Sequence, residues 1–252
     1  MKEIIRTYKL VKTFKEGSEP VLKGIDLQVN QGEFVAIMGQ SGSGKSTLLY
    51  NTSGMDRATS GKILVDGKNI LECSDEEMSR VRLQKMGFIF QHSYLLKNMD
   101  LENNILLPGY KAAIESREVI QKRAKELMKK LGIAEVANHD INQVSGGQLQ
   151  RAAICRALIN HPEIIFADEP TGALNSSTTL AVMDIINRIN REGTAILLVT
   201  HDAKVAARAD RIVFLADGQI EAEYSLGKWE DNAETMHMRE KRTDAFLKEY
   251  GF

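Results

Sequence analysis

The sequence predicts an α/β fold with a parallel sheet at its core, and three observations carry that expectation. Short, wholly apolar runs recur at Phe34–Met38, at 164–167 and at Ala195–Val199. Runs without polar alternation belong to strands buried on both faces, the habit of parallel sheets in α/β proteins. Helical periodicity occupies the intervals between them. The 252 residues suffice for about one large domain, and 43% hydrophobic with 27% charged residues excludes wholesale disorder.

From the N-terminus, strand-like runs alternate with turns. Ile25, Leu27 and Val29 alternate with Asp26 and Gln28, which predicts one half-buried strand over 25–29. Asn30-Gln31-Gly32 signals a turn, and 33–38 reads as a strand entering the core. A glycine-rich loop follows, then a helix over 45–52. Ile63-Leu64-Val65 reads as a strand closed by a tight turn at Asp66-Gly67. The pattern is helical over 75–85 and strand-like over 86–90.

Ile114, Ile120, Ala124, Leu127, Met128 and Leu131 recur at helical spacing among charged residues. They predict an amphipathic helix that packs within a helical insertion rather than on a membrane. Helices are expected over 148–159 and 179–190, then a strand over 212–215 with a hairpin turn at Asp217-Gly218. The expected architecture is a parallel core, an antiparallel strand-rich N-terminal piece and a helical insertion near 92–160. One domain is expected over 1–227; the charged stretch 228–252 predicts a terminal helix or a loosely attached tail.

Lys and Arg number 33 against 34 Asp and Glu, a net charge of −1. No global field favours nucleic acid or anionic lipid, so no nucleic-acid partner is expected and any anion must be held by local geometry. No apolar run approaches the roughly 20 residues of a membrane span. Direct membrane insertion is therefore not expected. The N-terminus lacks the apolar stretch of a signal peptide, which predicts a cytoplasmic chain. Cys73 and Cys155 are too few and too far apart for a disulfide framework and read as reduced structural thiols.

Gly39-Gln40-Ser41-Gly42-Ser43-Gly44-Lys45-Ser46 fits G-x-x-x-x-G-K-[ST], the P-loop, and Thr47 follows it. Its glycines let backbone N–H groups turn inward around phosphate oxygens, and the next helix points its positive end at them. Lys45 reaches β- and γ-phosphates in such loops, and the Ser46 hydroxyl suits Mg2+. The buried strand before it and the helix after it give the motif the setting that a chance match lacks. Ile164-Ile165-Phe166-Ala167-Asp168-Glu169 is an apolar run ending in two carboxylates. Beside a P-loop, Asp168 is a candidate metal ligand and Glu169 a candidate general base. Val144-Ser145-Gly146-Gly147-Gln148 opens a helix with two glycines behind a serine, a second anion-binding helix start. One nucleotide cannot easily occupy both sites in one subunit, whereas a head-to-tail pair of subunits could use them together.

Phe14, the P-loop, Gln91, VSGGQ, FADEP, Gly172-Ala173-Leu174-Asn175 and His201 occur in the order seen in the nucleotide-binding subunit of ABC transporters. The chain resembles that family over about residues 3–225. The resemblance implies a P-loop NTPase cassette with a RecA-like parallel core, an antiparallel β subdomain and a helical subdomain. It implies an ATPase that uses ATP and Mg2+, works as a homodimer, and sits at the inner face of the cell membrane against a transmembrane permease subunit. By the same resemblance Phe14 stacks on adenine, and Gly39, Ser41, Gly42, Ser43, Gly44, Lys45, Ser46 and Thr47 hold the phosphates. Ser145, Gly146, Gly147 and Gln148 meet the nucleotide of the partner subunit. Ser46, Gln91 and Asp168 attend the metal, while Glu169, His201, Gln91 and Lys45 serve catalysis.

Gly87-Phe88-Ile89-Phe90-Gln91, Glu102-Asn103, Leu107-Pro108 and Glu169-Pro170-Thr171-Gly172-Ala173-Leu174-Asn175-Ser176 are most similar to the macrolide-exporter and bacitracin-exporter group, which handles antibiotics, antimicrobial peptides or lipoproteins. The alternative is a cassette that regulates a membrane partner, in cell-wall remodelling or peptide sensing, without transport. Two positions depart from the usual pattern. Val144 replaces Leu, and Asn175 replaces Asp, which removes a negative charge beside the expected dimer contact.

Overall fold

The computed structural model describes residues 2–230 and 232–251. Met1, Asp231 and Phe252, which belong to the expected segments 1–227 and 228–252, lie outside the described residues. The chain opens with β1 (Glu3–Lys12), whose one edge pairs antiparallel with β2 (Leu22–Ile25) and then with β3 (Gln28–Asn30). The single strand expected over 25–29 is thus divided in two. The buried Thr7 explains the break: its hydroxyl donates to Ile25 O at 2.9 Å and accepts from Leu27 N at 2.8 Å. Asp26 meanwhile accepts the Lys9 amide at 2.8 Å. Side chains interrupt the regular ladder there, although the Thr7 amide still donates to Leu27 O at 2.8 Å, and Asp26 and Leu27 fall between the two strands.

β4 (Phe34–Met38) is buried along its whole length and leads through the glycine-rich loop into α1 (Lys45–Thr52). β5 (Ser60–Val65) pairs with the other edge of β1 and turns at Asp66-Gly67 into β6 (Lys68–Asn69). Both turn residues have positive φ, 49° and 79°, the hairpin geometry that Asp-Gly favours. α2 (Asp75–Lys85) starts on a reciprocal cap between Ser74 and Glu77, and β7 (Met86–Phe90) follows it.

α3 (Leu101–Ala112) is not marked by periodicity in the sequence. Its two asparagines, Pro108 and Gly109 have poor helix propensity, and the burial of Leu101, Ile105 and Leu106 overrides that preference. α4 (Arg117–Lys130) buries Ile120, Ala124 and Met128 as the spacing predicts. Ile114 is a correction: it lies between α3 and α4 and is 58% exposed. Ala113 takes a left-handed φ of 51° that stops α3, and the Ser116 cap delays α4 past it. α5 (Gly146–Leu158) begins before residue 148 because Ser145 is its cap.

β8 (Ile164–Asp168), α6 (Ser176–Arg191), β9 (Ala195–Val199), the short α7 (Ala203–Ala206), β10 (Arg211–Ala216), β11 (Gln219–Ser225) and α8 (Ala233–Glu249) complete the chain. The second sheet has the order β11-β10-β4-β9-β8-β7, parallel from β10 to β7 with β11 antiparallel at one edge. One apolar core lies between the two sheets, where β4, β8 and β9 meet Ile5, Leu10 and Ile63. The other fills the opposite face beneath α3 to α6 and α8.

The C-terminal stretch is a helix rather than a loose tail. Arg239 of α8 is buried and donates to Ala207 O at 2.8 Å, Leu226 O at 3.0 Å and Ala209 O at 2.5 Å, while its guanidinium covers the Trp229 ring. Five carbonyls share this one cation, counting Gly227 and Lys228. Both cysteines are free and buried, and burial pushes the Cys155 thiol up to about 12. Among the described residues no helix is long and apolar enough to cross a membrane.

Candidate nucleotide site

Ile37, Val199, Asp168 and Phe90 pair in one register row across β4, β9, β8 and β7. Parallel strands end on the same edge, where ligands of open α/β sheets bind. The residues that sequence reading singles out follow that row by a step or two: Gly39 after β4, Glu169 at the end of β8, His201 after β9 and Gln91 after β7. Residues separated by more than a hundred positions meet because the sheet, not the chain, orders them.

The loop after β4 is shaped by close approach. A Cβ on Gly39 would lie 2.0 Å from Leu215 O, so only glycine fits. Gly42 and Gly44 take φ of 82° and 100°, and Gly44 caps α1 without any side-chain acceptor. The first amides of α1 therefore have no internal partner, and the helix end favours an anion. Ser41 and Gly42 are exposed at the rim; Ser43 is buried, with its hydroxyl unpartnered. Thr47 and Ser46 lie half-buried on the first turn. Lys45 Nζ donates to Gly39 O at 2.8 Å and Gln40 O at 2.7 Å, across the concave side of the loop. Burial lowers the Lys45 pKa from its ordinary value, while the Glu169 and Asp168 carboxylates push it back up.

Ser46 Oγ donates to Asp168 Oδ1 at 3.0 Å. A hydroxyl and a single carboxylate fit a hard divalent cation that fills its remaining positions with phosphate oxygens and water, as Mg2+ does. No cluster of three or more His, Cys, Asp or Glu able to hold a metal by itself occurs among the described residues. Glu169 holds a left-handed φ of 46°, stabilised by its amide on Val199 O at 3.0 Å and its carbonyl on Gly172 N at 3.0 Å. A non-glycine residue in that region costs about 1–3 kcal/mol and tends to mark functional sites. Its Oε1 lies 2.8 Å from His201 Nδ1. Gln91 lies against Gly172, where an added Cβ would come within 3.0 Å of its Nε2.

Phe14 follows β1, is 62% exposed, and lies 4.8 Å below the Lys12 ammonium, which Asp56 anchors at 2.7 Å. The nearby start of β2 reaches the loop, because a Gly44 Cβ would touch Leu22 at 3.0 Å. Ser145, Gly146 and Gly147 border a cavity of about 410 Å³, beside Asn175 and Thr178. The Gln148 side chain accepts the Ser145 amide at 2.8 Å, and Ser145 Oγ accepts the Gln148 amide at 3.3 Å. Gln148 is thus occupied in capping its own helix.

Two residues of the site escaped the sequence reading. Gln150, buried in α5, donates to Phe90 O at 3.0 Å and Pro170 O at 2.7 Å, tying the segments that carry Gln91 and Glu169. Its signal was a polar residue on the same helix face as Ala153, Ile154 and Ala157. Tyr50 donates from its hydroxyl to Asp168 Oδ2 at 2.6 Å. Burial and then the Asp168 carboxylate push its phenol above the ordinary range. Its signal was the spacing of one helical turn from Ser46.

Residues 22–172 match the ABC transporter family. The macrolide export ATP-binding/permease protein MacB of Campylobacter fetus is 46% identical over 219 residues, covering 86% of this chain and 34% of that protein. The chain thus spans about a third of that longer relative. The lipoprotein-releasing system ATP-binding protein LolD of Leptospira interrogans is 44% identical over 212 residues, 84% of this chain and 88% of that protein. The dimeric cassette MJ0796 of Methanocaldococcus jannaschii, bound to ADP and Pi, superimposes with a TM-score of 0.82 at 39% identity, covering 89% of this chain and all of that one. With more than half of its length matching the family, and with these identities, the chain belongs to the ABC transporter family.

Proposed function

We propose that this chain binds and hydrolyses ATP between two copies of itself, and that the resulting opening and closing drives a separate membrane permease. The observation that carries this reading is the shared strand edge, where Lys45, Asp168, Glu169 and His201 gather beside one glycine-rich loop. Amides of residues Ser41 to Thr47 donate to phosphate oxygens, and Lys45 offsets the charge of the β- and γ-phosphates. Phe14 offers its exposed ring to the adenine. Ser46, Asp168 and Gln91 would hold Mg2+, which would offset phosphate charge when bound.

Glu169 accepts a proton from the water that attacks the γ-phosphorus in line, while the bond to the β–γ bridging oxygen breaks. His201 fixes the orientation of Glu169 through the contact at Oε1. Ser145, Gly146 and Gly147 complete the enclosure of the γ-phosphate held by the partner subunit, and Gln148 keeps their helix end formed. ATP therefore binds the closed pair better than ADP does, and hydrolysis loosens it.

The likeness to macrolide-export and lipoprotein-releasing proteins supports a permease that expels antibiotics or releases lipoproteins, and the sequence motifs add antimicrobial peptides to that range. The chain then works peripherally, at the inner face of the cell membrane. Glu169→Gln tests the core of this reading. ATP binding should persist, turnover should fall by about 100-fold or more, and an ATP-dependent dimer should accumulate in size-exclusion chromatography. Unimpaired turnover would remove Glu169 from the role of base.

A further inference from the structure

Ser46 and Tyr50 stand one turn apart on α1, so their hydroxyls leave the same helix face. Both reach Asp168, each to a different oxygen: Ser46 to Oδ1 at 3.0 Å and Tyr50 to Oδ2 at 2.6 Å. The second contact has the length of a charge-assisted O–H···O⁻ bond, roughly twice as strong as a neutral one. From this geometry we propose that Tyr50 is a positioning residue for the cation site, holding Oδ2 of Asp168 so that Oδ1 stays aimed at the cation beside Ser46.

The chemistry follows from what each group can do. A carboxylate at a strand end rotates about its last torsion, and a cation that relies on one carboxylate loses affinity when that torsion is loose. Gln150 and the β8 backbone fix where Asp168 starts, but neither touches its carboxylate. Tyr50 does. Its main chain is fixed too, since its carbonyl accepts the amides of Met55 at 2.9 Å and Asp56 at 3.0 Å. The phenol is therefore presented from a rigid helix that also carries Lys45 and Ser46. When a cation enters between Ser46 and Asp168, the bond between those two side chains is exchanged for cation contacts, whereas the Tyr50 bond to the far oxygen remains. A phenylalanine in its place would leave Oδ2 half-buried without this donor.

The proposal rests on the reading of Ser46 and Asp168 as cation ligands, and the test separates the two. A fluorescent trinitrophenyl-ATP is titrated into wild type, Tyr50→Phe and Asp168→Asn, in excess EDTA and then across a Mg2+ series. Wild type should bind the nucleotide more tightly with Mg2+, and Asp168→Asn should lose most of that gain. In EDTA, Tyr50→Phe should match wild type in nucleotide affinity and melt somewhat lower, by the lost hydrogen bond alone. It should need about tenfold more Mg2+ to reach half of the gain, the effect typical of removing a partner of a metal ligand. A purely structural role for the ring would leave the Mg2+ midpoint unmoved, because phenylalanine keeps the packing. An unchanged or lower midpoint in Tyr50→Phe, with the wild-type gain intact, overturns the proposal for Tyr50 alone. Absence of any Mg2+ gain in wild type overturns the cation reading and the proposal with it.

Discussion

Two helices of this molecule begin on glycine-rich turns, and they are built for different ends. α1 starts at Gly44, in the left-handed region, with no side chain capping its amides. Lys45 curls over the same loop, and Ser46, Asp168 and Glu169 close round it. α5 starts at Ser145, which caps its own helix reciprocally with Gln148, and its surroundings are the α6 start at Asn175 and a cavity open to solvent. The first end gathers a cation, a carboxylate and free amides within one chain. On the proposed reading, the second offers a serine and two glycine amides and borrows the rest from a second molecule, so that one motif would serve binding and the two together a dimer.

Substituting Gly39 and then Ser145 breaks this contrast in order of severity. Gly39→Ala should be the most damaging, since its Cβ would collide with Leu215 O at 2.0 Å and φ is 146°. The backbone must shift, so a loss of about 3 kcal/mol or more in urea unfolding is expected, together with loss of nucleotide binding by the isolated chain. Retained binding would mean that the loop tolerates another path. Ser145→Ala removes a cap and no packing, so it should cost only about 1 kcal/mol. Nucleotide affinity of the dilute chain should stay at the wild-type value, while ATP-driven dimerisation, read by light scattering, and turnover fall together. If affinity of the lone chain falls as well, the two helix ends are not independent half-sites.

The same contrast governs how much could be read beforehand. β4, α1, α2, β7 and β9 were legible because burial or helical spacing writes itself into residue type. The P-loop, Asp168 and Glu169 were legible because phosphate and metal chemistry restricts residues at fixed spacing. α3 was hidden because tertiary packing overrules weak propensity at Asn103, Asn104 and Gly109. The break between β2 and β3 was hidden because Thr7, far away in sequence, makes it. Gln150 and Tyr50 went unread for a related reason: each acts on the end of a distant strand, and the sequence records spacing along a helix but not what the helix faces.

Asn175 sharpens the comparison by the smallest step. It caps α6, accepting the Thr178 amide at 3.0 Å and the Ser177 hydroxyl at 2.9 Å, directly across from the Gly146–Gly147 turn. Asparagine and aspartate cap equally well, so its presence where the family more often has Asp leaves the local structure intact and changes only charge. Asn175→Asp would place a carboxylate at the positive end of α6, which favours the folded chain by about 0.3–1 kcal/mol at low ionic strength. Urea midpoints should rise slightly, and the gain should shrink as salt is added, because the site is exposed and screened. A gain that persists in high salt would point to a new hydrogen bond rather than to the helix field. A loss of stability at low salt would mean that the carboxylate meets repulsion the amide avoids, and that the α6 start, unlike the uncapped start of α1, is not set up to receive negative charge.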